Sequence, residues 1–80
     1  MKLHEQWAKQ QREELGRLLD WAGSQTNLAT FLGVSAQVVN AWVKRGRISA
    51  AEAIRVQELT GGEFQKRALR PDVHSWRDER

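Results

Sequence analysis

Apolar side chains recur every three or four residues along most of the chain, the spacing that lines one face of an α-helix. The longest instance passes through Leu15, Leu18, Leu19 and Ala22 and predicts a helix over residues 4–22. Glycines separate this segment from those that follow, and proline occurs once. Long runs of β-branched residues, which would favour strands, do not occur, so the pattern predicts an all-α fold.

Serine stands at the N-cap position of three further helical segments. Ser24, Ser35 and Ser49 each precede apolar residues at helical spacing, and Glu52 follows Ser49 at the distance of a capping box. Glycine follows each of these segments, as it does at many helix ends. The predicted helices cover residues 25–32, 36–44, 50–60 and, as a short turn before the proline, 64–69. With the first helix they predict a compact bundle of about five helices.

A chain of 80 residues has room for one small domain. The absence of cysteine excludes a disulfide framework, a thiolate metal cluster and a thiolate nucleophile. No apolar run has the length of a signal peptide core or a membrane helix, which favours a cytoplasmic protein. We predict an N-terminal helical extension over residues 1–14, a folded domain over 15–72 and a charged C-terminal tail over 73–80.

The net charge of +3 is unevenly distributed. Residues 23–47 contain Lys44, Arg45 and Arg47 and no acidic residue, and the carboxylate-free stretch extends over residues 21–51. A polyanion could approach this stretch without meeting like charge. Chance is the competing interpretation, and the charge pattern alone does not exclude it.

The segment from Gln25 to Lys44 carries the most specific pattern. Two short helices are joined by a link too tight for an antiparallel pair, which is the arrangement of a helix-turn-helix. Ala29 must be small where the second helix crosses above it, and Gly33 stands where the backbone must turn left-handed. The predicted wedge between the helices is filled by Leu28, Leu32, Val34, Val39 and Trp42. The domain of residues 15–72 is therefore predicted to contain a helix-turn-helix.

Burial of that wedge leaves the opposite face of the second helix exposed to solvent. The outward residues are Ser35, Ala36, Gln37, Asn40, Ala41 and Lys44. Small side chains allow a close approach to DNA, and the amides of Gln37 and Asn40 can pair bidentately with adenine. This face is therefore a candidate for reading bases, with Ser35, Ala36 and Ala41 beside the two amides.

Groups suited to phosphate lie on both sides of this face. Gln25 and Thr26 open the preceding helix, where side chains and helix N–H groups can hold a phosphate together. Lys44, Arg45 and Arg47 follow the reading helix, where the DNA backbone would pass. These five residues are the predicted phosphate contacts.

Three segments of this region resemble the helix-turn-helix of Cro-like phage repressors. They are Gln25-Thr26-Asn27-Leu28-Ala29, Leu32-Gly33-Val34-Ser35 and Val39-Asn40-Ala41-Trp42. Further on, Thr60-Gly61-Gly62 and Leu69-Arg70-Pro71-Asp72 are similar to the branch of Cro and YdaS-type antitoxins. The resemblance covers roughly residues 15–73. It implies a five-helix DNA-binding domain that represses transcription, usually from a prophage operator.

Carried onto this chain, the resemblance implies that Gln25 positions a phosphate. It also implies that Ser35, Gln37, Asn40 and Lys44 read or clamp the major groove. One such helix covers only about half a turn of DNA, so we expect a homodimer on a pseudo-palindromic operator with half-sites about 34–36 Å apart.

The chain departs from the family pattern in three places. Ser49 replaces a proline, and either residue can start a helix. Val38 occupies a position that is more often polar, where contact with a thymine methyl and contact with a partner chain are both open. The leader, to about Glu14, is longer than the family needs.

A second hypothesis is an interaction module, such as an antitoxin or adaptor that binds a protein. Trp42 is predicted to be a core residue, and Trp21 to lie in the core or at its edge. Trp7 and Trp76 lie in segments that the domain does not obviously need. These two residues are the candidates for covering a protein partner.

The sequence gives no support for catalysis or metal binding. It offers no carboxylate pair, no nucleophile with a base and no cofactor loop, so we expect neither an enzyme nor a cofactor. His4 and His74 lack the clustered ligands of a metal site. Four other cations are interpreted as solvated charges, with phosphate contact as the alternative: Arg55, Lys66, Arg67 and Arg70.

Overall fold

Three serine side chains start three of the helices, as their positions in the sequence predict. In the computed structural model, the hydroxyl oxygens of Ser24, Ser35 and Ser49 each accept a hydrogen bond from the backbone N–H three residues further on, at 3.0–3.3 Å. Each bond satisfies one of the N–H groups that the first turn of a helix leaves without a partner. Of the predicted capping box at Ser49, only this bond forms, because the Glu52 carboxylate pairs instead with Arg55.

The structure describes residues 3–77 and the side chains from residue 5 to residue 76, and this part of the chain forms six helices and no strand. The helices are α1 Leu3–Ala22, α2 Gln25–Leu32, α3 Ala36–Arg45, α4 Ala50–Leu59, α5 Lys66–Leu69 and α6 His74–Arg77. The all-α prediction is confirmed, with one short helix, α6, beyond the five expected. The remainder of the predicted extension and tail, and the His4 side chain, lie outside the described residues.

The division of the chain at residues 14 and 15 stays a prediction. α1 runs through this point as one uninterrupted helix. The first half of α1 contacts the C-terminal region of the described chain. Its Gln11 side chain is buried and donates a hydrogen bond to the Asp72 carboxylate. The family-like region and the leader therefore share one packed structure.

A single apolar core joins α1 to the other helices. α1 packs against α2 and α5, and α4 packs against α2 and α5. The buried apolar residues are Leu15, Leu18, Leu28, Ala29, Leu32, Val39, Trp42, Ile48, Ala53, Val56, Phe64 and Leu69. Val34 and Trp76 are half-buried against this core. Removal of this apolar surface from water is the main stabilising contribution in a domain of this size.

The link between α2 and α3 is a left-handed turn at Gly33. Its φ of 70° lies in the region that side chains with a Cβ disfavour. The turn is closed by a hydrogen bond from the Val34 N–H to the Ala29 carbonyl, at 3.0 Å. α3 therefore leaves α2 abruptly and packs on it directly.

Aromatic rings close the core beside α1. Trp21 is 44% exposed and makes edge-on contacts with Phe31 and the buried Phe64, at centroid separations of 5.2 and 5.7 Å. The Arg17 guanidinium lies 4.9 Å from the centroid of the Phe64 ring. Trp21 is thus an edge residue, and its predicted position in the core or at its edge is confirmed.

Asp72 is the centre of a polar cluster that ties the two ends of the fold together. Its carboxylate accepts two hydrogen bonds from Arg70, both at 2.8 Å, and one from Gln11 at 2.6 Å. Arg70 also donates to the Ile48 carbonyl, at 3.0 Å. The interpretation of Arg70 as a solvated charge is therefore wrong, because a carboxylate two residues away holds its guanidinium at the core edge. The hydrogen bonds from Arg70 keep the pKa of Asp72 below its ordinary value.

We predict opposite effects of alanine at two glycines. At Gly33 and at Gly16, a Cβ would meet no atom within 4 Å, so only the backbone conformation distinguishes them. Gly33→Ala should lower the free energy of unfolding by about 1 kcal/mol or more, because φ is positive. Gly16→Ala, inside α1, should raise it by about 0.5–1 kcal/mol. Urea denaturation checks both values, and shifts of the same sign would contradict the turn geometry.

We also predict that Asp72 makes stability depend on pH. Since its folded-state pKa is lowered from 3.8, its contribution is complete above that pH and is lost as the pH falls through the folded-state pKa. Asp72→Asn should lower the free energy of unfolding at neutral pH by about 1–2 kcal/mol. It should also flatten the decline of that free energy in acid.

The matched control is Asp20→Asn, which removes the same charge from an exposed position on α1. It should change the free energy of unfolding by less than about 0.5 kcal/mol. Urea denaturation gives the free energy of unfolding of the wild type and of both variants. It is carried out at neutral pH and again at a pH near the ordinary pKa of aspartate. An Asp72→Asn variant with the acid dependence of the wild type would disprove the role of this cluster.

Candidate nucleic-acid interface

The candidate interface is carried by the unit of residues 25–45, which contains α2, the turn and α3. Val39 and Trp42 bury one side of α3, with 0% and 2% of their surface exposed. Ala29 of α2 is 4% exposed, and α2 and α3 pack directly on each other. Because this side of α3 is buried in the core, the opposite side of the helix faces solvent.

The exposed side of α3, called the α3 face below, presents two amides and one ammonium group. Gln37, Asn40 and Lys44 are exposed and lie three or four residues apart, which places them on one face of the helix. Ala36 is exposed as well, and Ala41 is half-buried. The α3 face therefore combines long polar side chains with small neighbours that leave space around them.

Ser35 stands at the N-terminal end of the α3 face and already has a structural task. Its hydroxyl oxygen accepts the Val38 N–H at 3.2 Å, while the residue itself is exposed. The hydroxyl proton remains available to an outside acceptor. Ser35 thus starts the helix and can contact a ligand at the same time.

Gln25 and Thr26 form the exposed first turn of α2. The Ser24 side chain caps the N–H of Asn27, and the Leu28 N–H bonds to the Ser24 carbonyl. The N–H groups of Gln25 and Thr26 precede these bonds and face the end of the helix, where its dipole favours an anion. Two backbone donors and two polar side chains meet at this point.

Cations gather at the opposite end of α3. Lys44 and Arg45 form its last turn and Arg47 follows the helix, and all three are exposed. One Arg47 nitrogen lies 4.0 Å from Asp72, a carboxylate that Arg70 already holds at shorter distance. The helix dipole favours positive charge at this end.

Arg12 is an additional cation here that sequence reasoning did not identify. A Cβ built on Gly46, the residue that ends α3, would lie 3.1 Å from Arg12 Nη2. No local pattern could reveal this contact, since it joins a side chain of α1 to a residue far along the chain.

Two valines lie at the borders of the α3 face. Val38 and Val43 are 40% and 37% exposed. Val38 is accessible both to a thymine methyl and to a partner chain, so the two interpretations of this residue both remain.

The tryptophans outside the α3 face differ in their packing. Trp42 is buried in the core, as predicted. Trp76, on α6, is half-buried against the core, and the Lys66 ammonium lies 5.1 Å from the centroid of its ring. Trp7 is half-buried on α1. A protein partner could reach only part of either Trp7 or Trp76.

Within residues 3–77, no helix is long and apolar enough to cross a membrane. In the same part of the chain, no group of three or more metal-ligating side chains is close enough to hold an ion.

Comparison with known families gives a match over most of the chain. A family model described as "Bacterial toxin YdaS" matches residues 15–78. The chain belongs to the YdaS family. This membership confirms the YdaS resemblance and indicates a small regulatory protein. The description names a toxin, whereas the sequence resemblance is to antitoxins. No curated protein and no solved structure is significantly similar to the chain.

The match contains the whole α3 face and begins within α1. Arg12 and Gln11 lie before it, so the contacts that these residues make at Gly46 and Asp72 come from outside the matched residues. The leader is thus joined to the matched region at several places, which include a hydrogen bond from the Gln10 side chain to the Ala68 carbonyl.

We predict that the stability of α3 depends on the N-cap hydrogen bond of Ser35. Ser35→Ala removes the cap and should lower the free energy of unfolding by about 1 kcal/mol, whereas Ser35→Asn, a good N-cap, should stay within about 0.5 kcal/mol of the wild type. Thermal and urea denaturation measure the difference. Equal losses in both variants would show that the cap is not what stabilises α3.

Proposed function

We propose that this YdaS-family protein is a sequence-specific double-stranded DNA-binding regulator of transcription that places α3 in the major groove. The observation that carries the proposal is the α3 face, where Gln37 and Asn40 are exposed side by side on a helix whose other side is buried. Amides in this position can make paired hydrogen bonds with the edge of adenine.

The arrangement of charge supports the same function. The carboxylate-free stretch of residues 21–51 contains α2, the turn and α3. The first turn of α2 offers backbone donors with Gln25 and Thr26, and the end of α3 offers Lys44, Arg45 and Arg47. In the proposed complex these groups hold the sugar-phosphate backbone on either side of the groove, which sets the register in which α3 reads bases.

A helix-turn-helix of this size implies a second copy on DNA. α3 has ten residues and contacts only about half a turn of the duplex. We propose a homodimer on a pseudo-palindromic operator, with half-sites about 34–36 Å apart. Such a protein represses when its operator overlaps a promoter, the activity expected of a prophage Cro-type repressor, and it acts in the cytoplasm on the nucleoid.

The word toxin in the family description is compatible with this activity. A regulator produced in excess can occupy promoters of essential genes and stop growth. If so, growth arrest requires Gln37 and Asn40. The alternative of an antitoxin or adaptor that acts by binding a protein gains no specific support, because Trp76 already packs against the core.

We predict that Gln37→Ala and Asn40→Ala weaken binding to the operator by about 1–3 kcal/mol each and change binding to random duplex little. The measurement is a fluorescence-anisotropy titration at two salt concentrations. It compares random DNA with DNA from upstream of the protein's own gene. The wild type should prefer the upstream DNA by about a thousandfold or more, with a steep salt dependence on both.

Glu63→Gln is a suitable control, since this exposed side chain lies after α4 and outside the proposed interface. Thermal denaturation establishes that each variant is folded. Equal losses on operator and random DNA would remove the base-reading role from Gln37 and Asn40. A wild-type protein that binds neither DNA at low salt would overturn the proposed function.

A further inference from the structure

The Arg12 guanidinium lies against the backbone at the end of α3, although Arg12 belongs to the leader half of α1. A Cβ built on Gly46 would lie 3.1 Å from its Nη2 and 3.3 Å from its Nε. Gly46 is buried and has a φ of 83°, so the backbone here is held in one conformation. Its two neighbours in the chain are Arg45 and Arg47, which brings three arginines to one helix end.

Among the described side chains, Asp72 is the one carboxylate within ion-pair distance of this group of arginines. Within the described side chains, Arg12 and Arg45 form no ion pair. Arg47 has Asp72 at 4.0 Å, but that carboxylate already accepts two hydrogen bonds from Arg70. The positive charge of the cluster is therefore not neutralised within this part of the chain.

Three arginines at one helix end concentrate positive charge there, and the partial negative charge at the end of α3 offsets it only in part. Guanidinium groups match the oxygens of phosphate in geometry and charge, and a bound phosphate would neutralise part of this charge. Since Arg45 ends the reading helix and Arg47 follows it, a phosphate at this place belongs to the strand that borders the groove.

We infer that Arg12 binds the phosphodiester backbone of DNA together with Arg45 and Arg47. The inference rests on the proposed function. It adds a contact from outside the matched residues 15–78, so the leader helix takes part in DNA binding. The contact is independent of sequence, and it should appear as a loss of affinity that is the same on every duplex.

The test compares Arg12→Gln with the wild type on a labelled random duplex of about 20 base pairs and on the upstream DNA of the protein's own gene. At roughly 0.1 M salt, the association constant should fall about five- to tenfold on both. The slope of its logarithm against the logarithm of salt concentration should become shallower by about 0.9, the value for one phosphate contact. Arg12→Lys should keep the slope.

The charge-matched control is Arg67→Gln, at an exposed position on α5. It should leave affinity within about twofold and the salt slope unchanged. If Arg12 only stabilises the fold, Arg12→Gln should lower the midpoint of thermal unfolding and leave the salt dependence of DNA binding unchanged. In the binding role, the midpoint stays within about 2 °C.

The two proposals fail in different ways. If the wild type binds duplex DNA and Arg12→Gln binds with the same slope, the role of Arg12 is disproved and the proposed function stands. If Arg67→Gln loses as much as Arg12→Gln, the effect is one of net charge, and the specific role is again disproved. If the wild type does not bind DNA, both proposals fall.

Discussion

The burial of Trp42 and Val39 is the constraint on which the rest of this structure depends. In a chain with one thin core, these two side chains determine which side of α3 is withdrawn from water and therefore which side is left exposed. The tight turn at Gly33 then sets where α3 starts, and the small side chain of Ala29 allows α2 to approach it. The exposure of Gln37 and Asn40 is a consequence of this packing.

The helices around this unit hold it in place from both ends of the fold. α1 closes the core with Leu15 and Leu18, while Asp72 links the C-terminal region back to α1 through Gln11. The contacts of Asp72 are polar and lie at the edge of the core. Hydrogen bonds to a charged group contribute more to stability than hydrogen bonds between neutral groups. The candidate interface is thus supported by groups that do not belong to it.

The helix starts and ends could be predicted from the sequence because the signals are local. A serine and the N–H three residues on, or a glycine after the last turn, act within a few positions of the chain. Other features depend on tertiary contacts between distant positions. The hydrogen bond of Gln11 with Asp72 joins residues 61 apart, and the Arg12 contact at Gly46 joins α1 to the residue that ends α3. The capping box at Ser49 forms only in part, because the Glu52 carboxylate accepts a hydrogen bond from Arg55.

The hydrogen bond between Gln11 and Asp72 also has a consequence for the order of folding. Contacts within α2, the turn and α3 close short loops, whereas this bond closes a loop of 61 residues at a larger loss of chain entropy. We expect α2 and α3 to pair in the transition state and the Asp72 cluster to form after it. Variants of Ala29 should then slow folding, while variants of Asp72 should mainly speed unfolding, and the reverse pattern in stopped-flow kinetics would contradict this order. The surface proposed for DNA would thus take shape before the fold around it is complete.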